Sequence, residues 1–302
     1  MSYKITFEKY QSSGNDFIIT ENTPFLKLTK KDIIRFCDRK FGIGSDGLII
    51  LNPTNSTDIF ELFFYNPDGS GDTLCGNGSL STVDFILNKK DISSGYLKAS
   101  DGYHKFNTNI KNDFIKEDGI HSITMNNCNL PEKLKIDNIT GYFINTGAPH
   151  FVVETDNLAY INIFNLGKHL RNIVNIENGG TNVDFISSIN MYNKNIINDE
   201  NNKSQEHSDS YECIESQKNN IIKVHTFEKG VENETLSCGT GSVASAIIYL
   251  YKNDLIKKEN LVKVQNKGGY HYVFFKYDKK IFYDITLFGK PVNVFTAEIY
   301  ND

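Results

Sequence analysis

Two stretches of the chain carry apolar residues at helical spacing, Ser79–Asn88 (SLSTVDFILN) and Ser242–Lys252 (SVASAIIYLYK), and each follows directly on a pair of glycines. The pattern predicts two helices, each opened by a glycine loop. Elsewhere the patterned segments are short, aromatic and β-branched, and partly alternating. Met1–Phe7, Asp58–Tyr65, Tyr142–Ile144, His150–Val153, Ile221–Phe227 and Tyr272–Tyr277 read as strands bounded by Gly, Asn and Pro. Sheets wrapped around one or two helices per half give the α+β class. Met191–Asn220 breaks the pattern: it is dense in Asn, Ser, Lys and Glu, with too few large apolar side chains to offset its ordering entropy. A disordered insertion is expected over 193–220, which removes His207 and Cys213 from the candidate site residues.

The two helical segments belong to a repeat. Thr73-Leu74-Cys75-Gly76-Asn77-Gly78-Ser79 returns as Thr235-Leu236-Ser237-Cys238-Gly239-Thr240-Gly241-Ser242, with the cysteines 163 positions apart. Asp101-Gly102-Tyr103-His104 returns as Gly268-Gly269-Tyr270-His271, 167 apart. Gly14-Asn15-Asp16-Phe17-Ile18 is echoed by Thr181-Asn182-Val183-Asp184-Phe185-Ile186, an offset of 168 for the Asp-Phe-Ile triplet. Three echoes in one order at nearly constant spacing predict an internal duplication. The expected architecture is two pseudo-symmetric domains, each a curved, mostly antiparallel sheet wrapped around a central helix. Residues 1–119 with a C-terminal return at 290–302 would form the first domain and 120–289 the second.

Charge and composition narrow the function. A formal charge of −5, with 32 basic residues scattered along 302, offers neither a nucleic-acid face nor a polybasic membrane patch. No stretch reaches the roughly 18–20 consecutive apolar residues of a membrane span, and Met1–Phe7 lacks a signal peptide's apolar core, so a cytosolic protein is expected. Five cysteines, Cys37, Cys75, Cys128, Cys213 and Cys238, contain no CxxC pair and suggest neither a disulfide framework nor a zinc ribbon.

The repeated cysteines carry the chemistry. A thiol at a helix N-terminus faces unpaired N–H groups and the positive end of the helix dipole, which favour thiolate, and the same amides bind a carboxylate. A lone cysteine before a glycine turn is more often packing, since cysteine is among the most buried residue types. Duplication changes that balance: an approximate two-fold axis sets equivalent helix starts on either side of a cleft, one thiol on each side of a bound carboxylate. Inverting a carbon stereocentre needs a base on one face and an acid on the other, and a thiolate/thiol pair exchanges those roles at every turnover. Donors at both helix starts would stabilise the charge that builds on the carboxylate. A Cys75–Cys238 disulfide is the oxidised, inactive alternative.

These motifs together resemble the diaminopimelate epimerase family over nearly the whole length. The resemblance runs through Gly14-Asn15-Asp16-Phe17, Asp38-Arg39-Lys40-Phe41-Gly42-Ile43-Gly44-Ser45-Asp46-Gly47, Tyr65-Asn66-Pro67-Asp68-Gly69-Ser70 and Cys75-Gly76-Asn77-Gly78. It continues through Asn145-Thr146-Gly147-Ala148-Pro149-His150, Gly180-Thr181-Asn182-Val183-Asp184-Phe185, Phe227-Glu228-Lys229-Gly230 and Glu234-Thr235-Leu236-Ser237-Cys238-Gly239-Thr240-Gly241. It implies interconversion of LL- and meso-diaminopimelate, on the route to lysine and peptidoglycan, by a homodimer using neither pyridoxal phosphate nor metal. Carried over, Cys75 and Cys238 are the acid/base pair, and Gly76, Asn77, Gly239 and Thr240 hold the carboxylate at the reacting centre. Asn15, Asn66 and Asn182 bind the remote end, Glu228 takes an amino group, and Glu228 and His150 tune the thiols. The chain departs from the family at Lys229, usually Arg, which exchanges a bidentate guanidinium for a mobile point charge. Ala148, Gly47, Leu80 and Ser81 stand where Asn, Gln, Arg and Cys are usual. Two rivals remain: a proline or hydroxyproline racemase-like enzyme, whose substrate lacks the second charged end that Asn66, Asn182 and Glu228-Lys229 suit, and a catalytically weakened ligand-binding relative.

Overall fold

The computed structural model describes residues 3–24, 26–71, 74–174, 179–189 and 220–301. The expected disorder of the polar insertion, with His207 and Cys213, falls outside the described residues apart from Asn220. The first half comprises β1 (Tyr3–Ser12), β2 (Asn15–Glu21), α1 (Lys30–Cys37), β3 (Gly47–Pro53), β4 (Ile59–Tyr65), α2 (Gly76–Leu87), β5 (Ser94–Ala99), β6 (Gly102–Asn107) and β7 (His121–Thr124). Short strands β8 (Cys128–Asn129) and β9 (Glu132–Ile136) lead into β10 (Ile139–Asn145), β11 (Pro149–Glu154), α3 (Ile163–Ile173), β12 (Asn182–Ser188), β13 (Ile221–Glu228) and β14 (Asn233–Thr235). Then follow α4 (Gly239–Lys252), β15 (Glu259–Asn266), β16 (Gly269–Asp278), β17 (Ile281–Gly289) and β18 (Pro291–Asn301).

Strand pairing shows the duplication directly. Neighbours β1–β2–β3–β4–β5–β6–β7 pair antiparallel, parallel, antiparallel, parallel, antiparallel and antiparallel. β10–β11–β12–β13–β15–β16–β17 repeat that sequence of pairings. The halves join where β7 pairs antiparallel with β17. Beyond that seam the connections cross: β18 returns to pair with β1, and β9 pairs with β10.

This order corrects one of the sequence echoes. β2, which starts at Asn15, corresponds to β11, not to β12, which starts at Asn182. The positive-φ glycines of the two equivalent hairpin turns, Gly14 and Gly147, are 133 positions apart. The longer β12–β13 connection then widens the offset to the 163 seen at the cysteines, so the Asn-Asp-Phe-Ile likeness shares the later offset by coincidence. The cysteine and Gly-Tyr-His echoes do fall on equivalent elements, α2 with α4 and β6 with β16.

The central helices are apolar nearly all round, as a helix enclosed by sheet must be. α4 is buried from Gly239 to Leu250, and in α2 only Asp84 and Leu87 escape full burial. Ser81 and Thr82 are tolerated inside because their hydroxyls donate to the carbonyls of Asn77 and Gly78 at 3.0 and 2.8 Å. One apolar cluster joins Leu80, Val83, Val243, Ile247 and the inner sheet faces of both halves. Two further helices, unread in the sequence, cover outer faces: Ile33 and Phe36 of α1 pack with Phe7, Ile18 and Leu48, and Ile163 and Leu170 of α3 with Phe151, Phe185 and Phe227. Thr29 and Asp32 start α1 with a capping box. Among the described residues no helix is long and apolar enough to cross a membrane.

Candidate active site

Each helix begins at the first glycine of its motif, three residues before the predicted start, so the glycines form the first turn and no opening loop. Cys75 and Cys238 are the N-cap residues, both extended, at φ −99° and −132°. The two first turns meet. A Cβ placed on Gly239 would lie 3.1 Å from the Gly76 Cα, and one on Gly76 would lie 2.7 Å from Leu287 Cδ2 at the seam. Glycine is required here by proximity: any side chain would wedge the helix ends apart. Two positive dipole ends and their free N–H groups therefore converge, an arrangement made for an anion.

A chain of buried polar groups stands behind Cys238. Gly241 N–H donates to Cys238 Sγ at 3.4 Å, and the thiol lies 3.4 Å from Thr240 Oγ1. Thr240 Oγ1 in turn lies 2.9 Å from His150 Nε2, and His150 Nδ1 is 2.6 Å from Asp184 Oδ2. Thr226 Oγ1 donates to the other Asp184 oxygen at 2.6 Å. Asn182 accepts Lys229 N–H through Oδ1 at 2.8 Å, which turns its Nδ2 toward His150 Nε2 at 3.3 Å. Nε2 is thus an acceptor, and Nδ1 carries the proton shared with Asp184.

Around Cys75 the partners differ. Its Sγ lies 3.8 Å from Asn15 Oδ1, which also accepts from Asn77 Nδ2 at 3.4 Å. Asn77 Nδ2 donates to Ser237 Oγ across the interface at 2.9 Å, tying the first cysteine's turn to the residue before the second. The four described cysteines, Cys37, Cys75, Cys128 and Cys238, are free. Burial pushes the Cys75 thiol up to about 12 and the Cys238 thiol well above its ordinary value, and the Glu228 carboxylate is the foremost charge raising both. Glu228 itself is pushed up to about 7, chiefly by burial.

The structure thus brings Cys75, Gly76, Asn15, Asn77, Cys238, Gly239, Thr240, His150 and Asn182 into one contact network, with Glu228 within electrostatic reach of both thiols. Asn66 stands apart, its Nδ2 donating to Ser70 Oγ at 3.1 Å within its own turn. Lys229 is exposed, its Nζ beside Gly179. There it has a neighbour that the sequence did not single out: Arg171 from α3 donates to Gly179 O at 3.2 Å while pairing with Glu232 at 2.8 Å. Asp184 lies inside the motif at 180–185 but carries no role there, and Thr226 has no local mark, because the partners that give them roles lie 34 and 42 positions away.

The fold recurs in solved proteins of low sequence identity. A phenazine biosynthesis protein of the PhzF family from Bacillus anthracis aligns with a TM-score of 0.68 at 15% identity, covering 98% of this chain and 99% of that one. A probable proline racemase from Agrobacterium radiobacter K84 aligns with a TM-score of 0.67 at 13% identity, over 99% and 93%. These define the fold. Sequence defines the family: a model described as diaminopimelate epimerase matches residues 7–102 and 142–287. The diaminopimelate epimerase of Flavobacterium psychrophilum is 33% identical over 96% of this chain and 98% of its own, and that of Aquifex aeolicus 31% identical over 97% of each. The chain belongs to the diaminopimelate epimerase family and is an isomerase.

Proposed function

We propose that the protein interconverts LL- and meso-2,6-diaminopimelate with no pyridoxal phosphate or metal, Cys75 and Cys238 acting on opposite faces of the α-carbon. The observation that carries this reading is the head-to-head contact of two cysteine-capped helices. The carboxylate at the reacting centre accepts hydrogen bonds from the first-turn amides of Gly76, Asn77, Gly239 and Thr240, which stabilise the charge that grows as the α-proton leaves. Glu228 receives an ammonium group. That pairing cancels the charge raising both thiols, so substrate binding itself eases thiolate formation. His150, held by Asp184, tunes Cys238 through Thr240. Asn15, Asn66, Asn182 and Lys229 take the remote end, where Arg171 stands beside Lys229.

The same reading places the protein in the cytoplasm, divides it into domains of 1–119 plus 290–302 and 120–289, and makes it a homodimer. The dimer is supported by β18, which pairs only with β1 among the described strands and exposes Val292, Val294, Phe295 and Tyr300. Sedimentation should give twice the monomer mass, and a monomer at assay concentration would remove that part of the proposal. The activity is tested by incubating reduced protein with LL-diaminopimelate in deuterated water. Deuterium at the α-carbon of newly formed meso isomer is expected; no uptake under reducing conditions would overturn the substrate assignment.

A further inference from the structure

Two carboxylates, Asp184 and Glu228, lie within electrostatic reach of Cys238, and two threonines stand opposite each other in the ladder beside them. In the β13–β14 register Thr226 pairs with Thr235 and Glu228 with Asn233. Directly opposed residues share a face, so Thr226, Glu228 and Thr235 all point to the side on which α4 lies, while His225, Phe227 and Glu234 take the other side. The contacts agree: Ile222 and Val224 join the apolar cluster around α4, Phe227 packs with α3, and His225 Nδ1 lies 2.6 Å from Glu234 Oε1. Glu228 and Thr235 are therefore diagonal neighbours across the ladder, a separation that a glutamate side chain spans.

The two hydroxyls divide between the two carboxylates. Thr226 Oγ1 donates to Asp184 Oδ1 at 2.6 Å, so its one hydrogen is committed, although it stands two residues from Glu228 on the same face. Thr235 Oγ1 is buried and forms no close hydrogen bond among the described residues. A buried hydroxyl without a partner is destabilising, and the acceptor that the register sets diagonally across from it is the Glu228 carboxylate. Of the influences that lower the Glu228 carboxyl against its burial, the Thr235 hydroxyl stands first, ahead of His150. A hydroxyl serves both states of an acid, accepting from the protonated form and donating to the ionised one. The bond to a charged oxygen is the stronger, so the hydroxyl favours the carboxylate.

We propose that Thr235 is a positioning residue for Glu228: its hydroxyl donates to the ionised carboxylate and so sets the fraction of the protein ready to receive an ammonium group. The use of that fraction rests on the reading of Glu228 as the ammonium site, whereas the hydrogen bond itself does not. An ammonium binds the ionised form, and apparent affinity scales with the share of the protein in that form. The other charged and titratable groups facing Glu228 are His150 from β11, which favours the carboxylate, Asp184 from β12 and Asp46 from the loop before β3, which oppose it, and the thiols of Cys75 and Cys238. Thr235 stands three residues before Cys238, so the segment that carries the second thiol also carries the donor that readies the acid beside it.

The test is the melting of the substrate-free protein from about pH 4.5 to about pH 9, with and without Glu228→Gln, in wild type, Thr235→Val, Thr235→Ala and Thr235→Ser. The gap between the members of each pair isolates the Glu228 carboxyl. It opens as pH rises, because the unfolded chain releases a proton that the folded protein keeps, and it levels off where the folded protein ionises, at about pH 7 in wild type. Valine keeps the shape and removes the donor; alanine removes the donor at smaller volume and decides the matter if the valine variant does not fold. In both, the levelling point should move up by about one pH unit, and serine should return it to the wild-type pH. A levelling point unmoved by valine and alanine, one moved equally by serine, or a gap that does not change with pH in wild type would each overturn the proposal. This arm needs no substrate. Diaminopimelate then separates the donor from its use: KM in Thr235→Val should rise about fivefold at pH 7 and meet wild type by about pH 9, with kcat nearly unchanged. A levelling point that moves while KM does not would overturn the ammonium reading and leave the hydrogen bond standing.

Discussion

Alanine at Cys75 or at Cys238 should lower epimerisation by about 10²–10⁴-fold, the contribution of a positioned acid or base, and the two variants should fail in opposite ways. Each keeps one thiol at one helix start, with the anion-binding amides of Gly76, Asn77, Gly239 and Thr240 intact. The remaining thiol can still take the α-proton of the isomer that presents it, but no group on the other face can return one. Such a variant exchanges hydrogen for deuterium in one isomer with retention and leaves the other untouched. Mass and chiral analysis of LL- and meso-diaminopimelate in deuterated water would therefore show complementary patterns for Cys75→Ala and Cys238→Ala. Loss of only one activity, or exchange of both isomers by both variants, would mean that the thiols do not divide the two faces.

What was legible in the sequence follows from the range of the interactions. The cysteine-glycine motifs could be read because their constraints are local: an N-cap thiol, first-turn amides, and a helix end so close to its partner that a Cβ on Gly239 would approach Gly76 Cα to 3.1 Å. The strands at Asp58–Tyr65 and Ile221–Phe227 were visible for a similar reason, since aromatic and β-branched runs suit a pleated, half-buried surface. α1 escaped notice because it is only eight residues long, although its apolar positions are well segregated and Thr29 and Asp32 spelled its capping box. The side-chain chain from Cys238 to Asp184 was out of reach. Thr240 and His150 are 90 positions apart, and only the parallel pairing of β11 with β12 sets His150 opposite Asn182. The false echo of Asn15 in Asn182 has the same origin, because offsets measure chain length and strand order is set by pairing.

Glu228→Gln should abolish turnover yet stabilise the substrate-free protein above neutral pH. Burial pushes the Glu228 carboxyl up to about 7 from an ordinary 4.5, so the folded state holds a proton that the unfolded chain releases. The sign follows: the favourable contribution is complete below pH 4.5 and is lost as pH rises through 7, where the folded protein must carry a buried carboxylate. That difference corresponds to about 3 kcal/mol at pH 8. Glutamine has the same shape and no charge, so the variant and wild type should melt together near pH 4.5 and diverge by several degrees at pH 8, the variant higher. Diaminopimelate should close the gap by bringing an ammonium to the wild-type carboxylate, stabilising wild type and not the variant. A melting difference that is the same at both pH values would show that Glu228 is not held protonated by its surroundings. Equal stabilisation of both proteins by diaminopimelate would place the ammonium elsewhere. The costly carboxylate is the group the proposed chemistry needs: while unpaired it keeps both thiols protonated, and paired with substrate it lets one of them ionise.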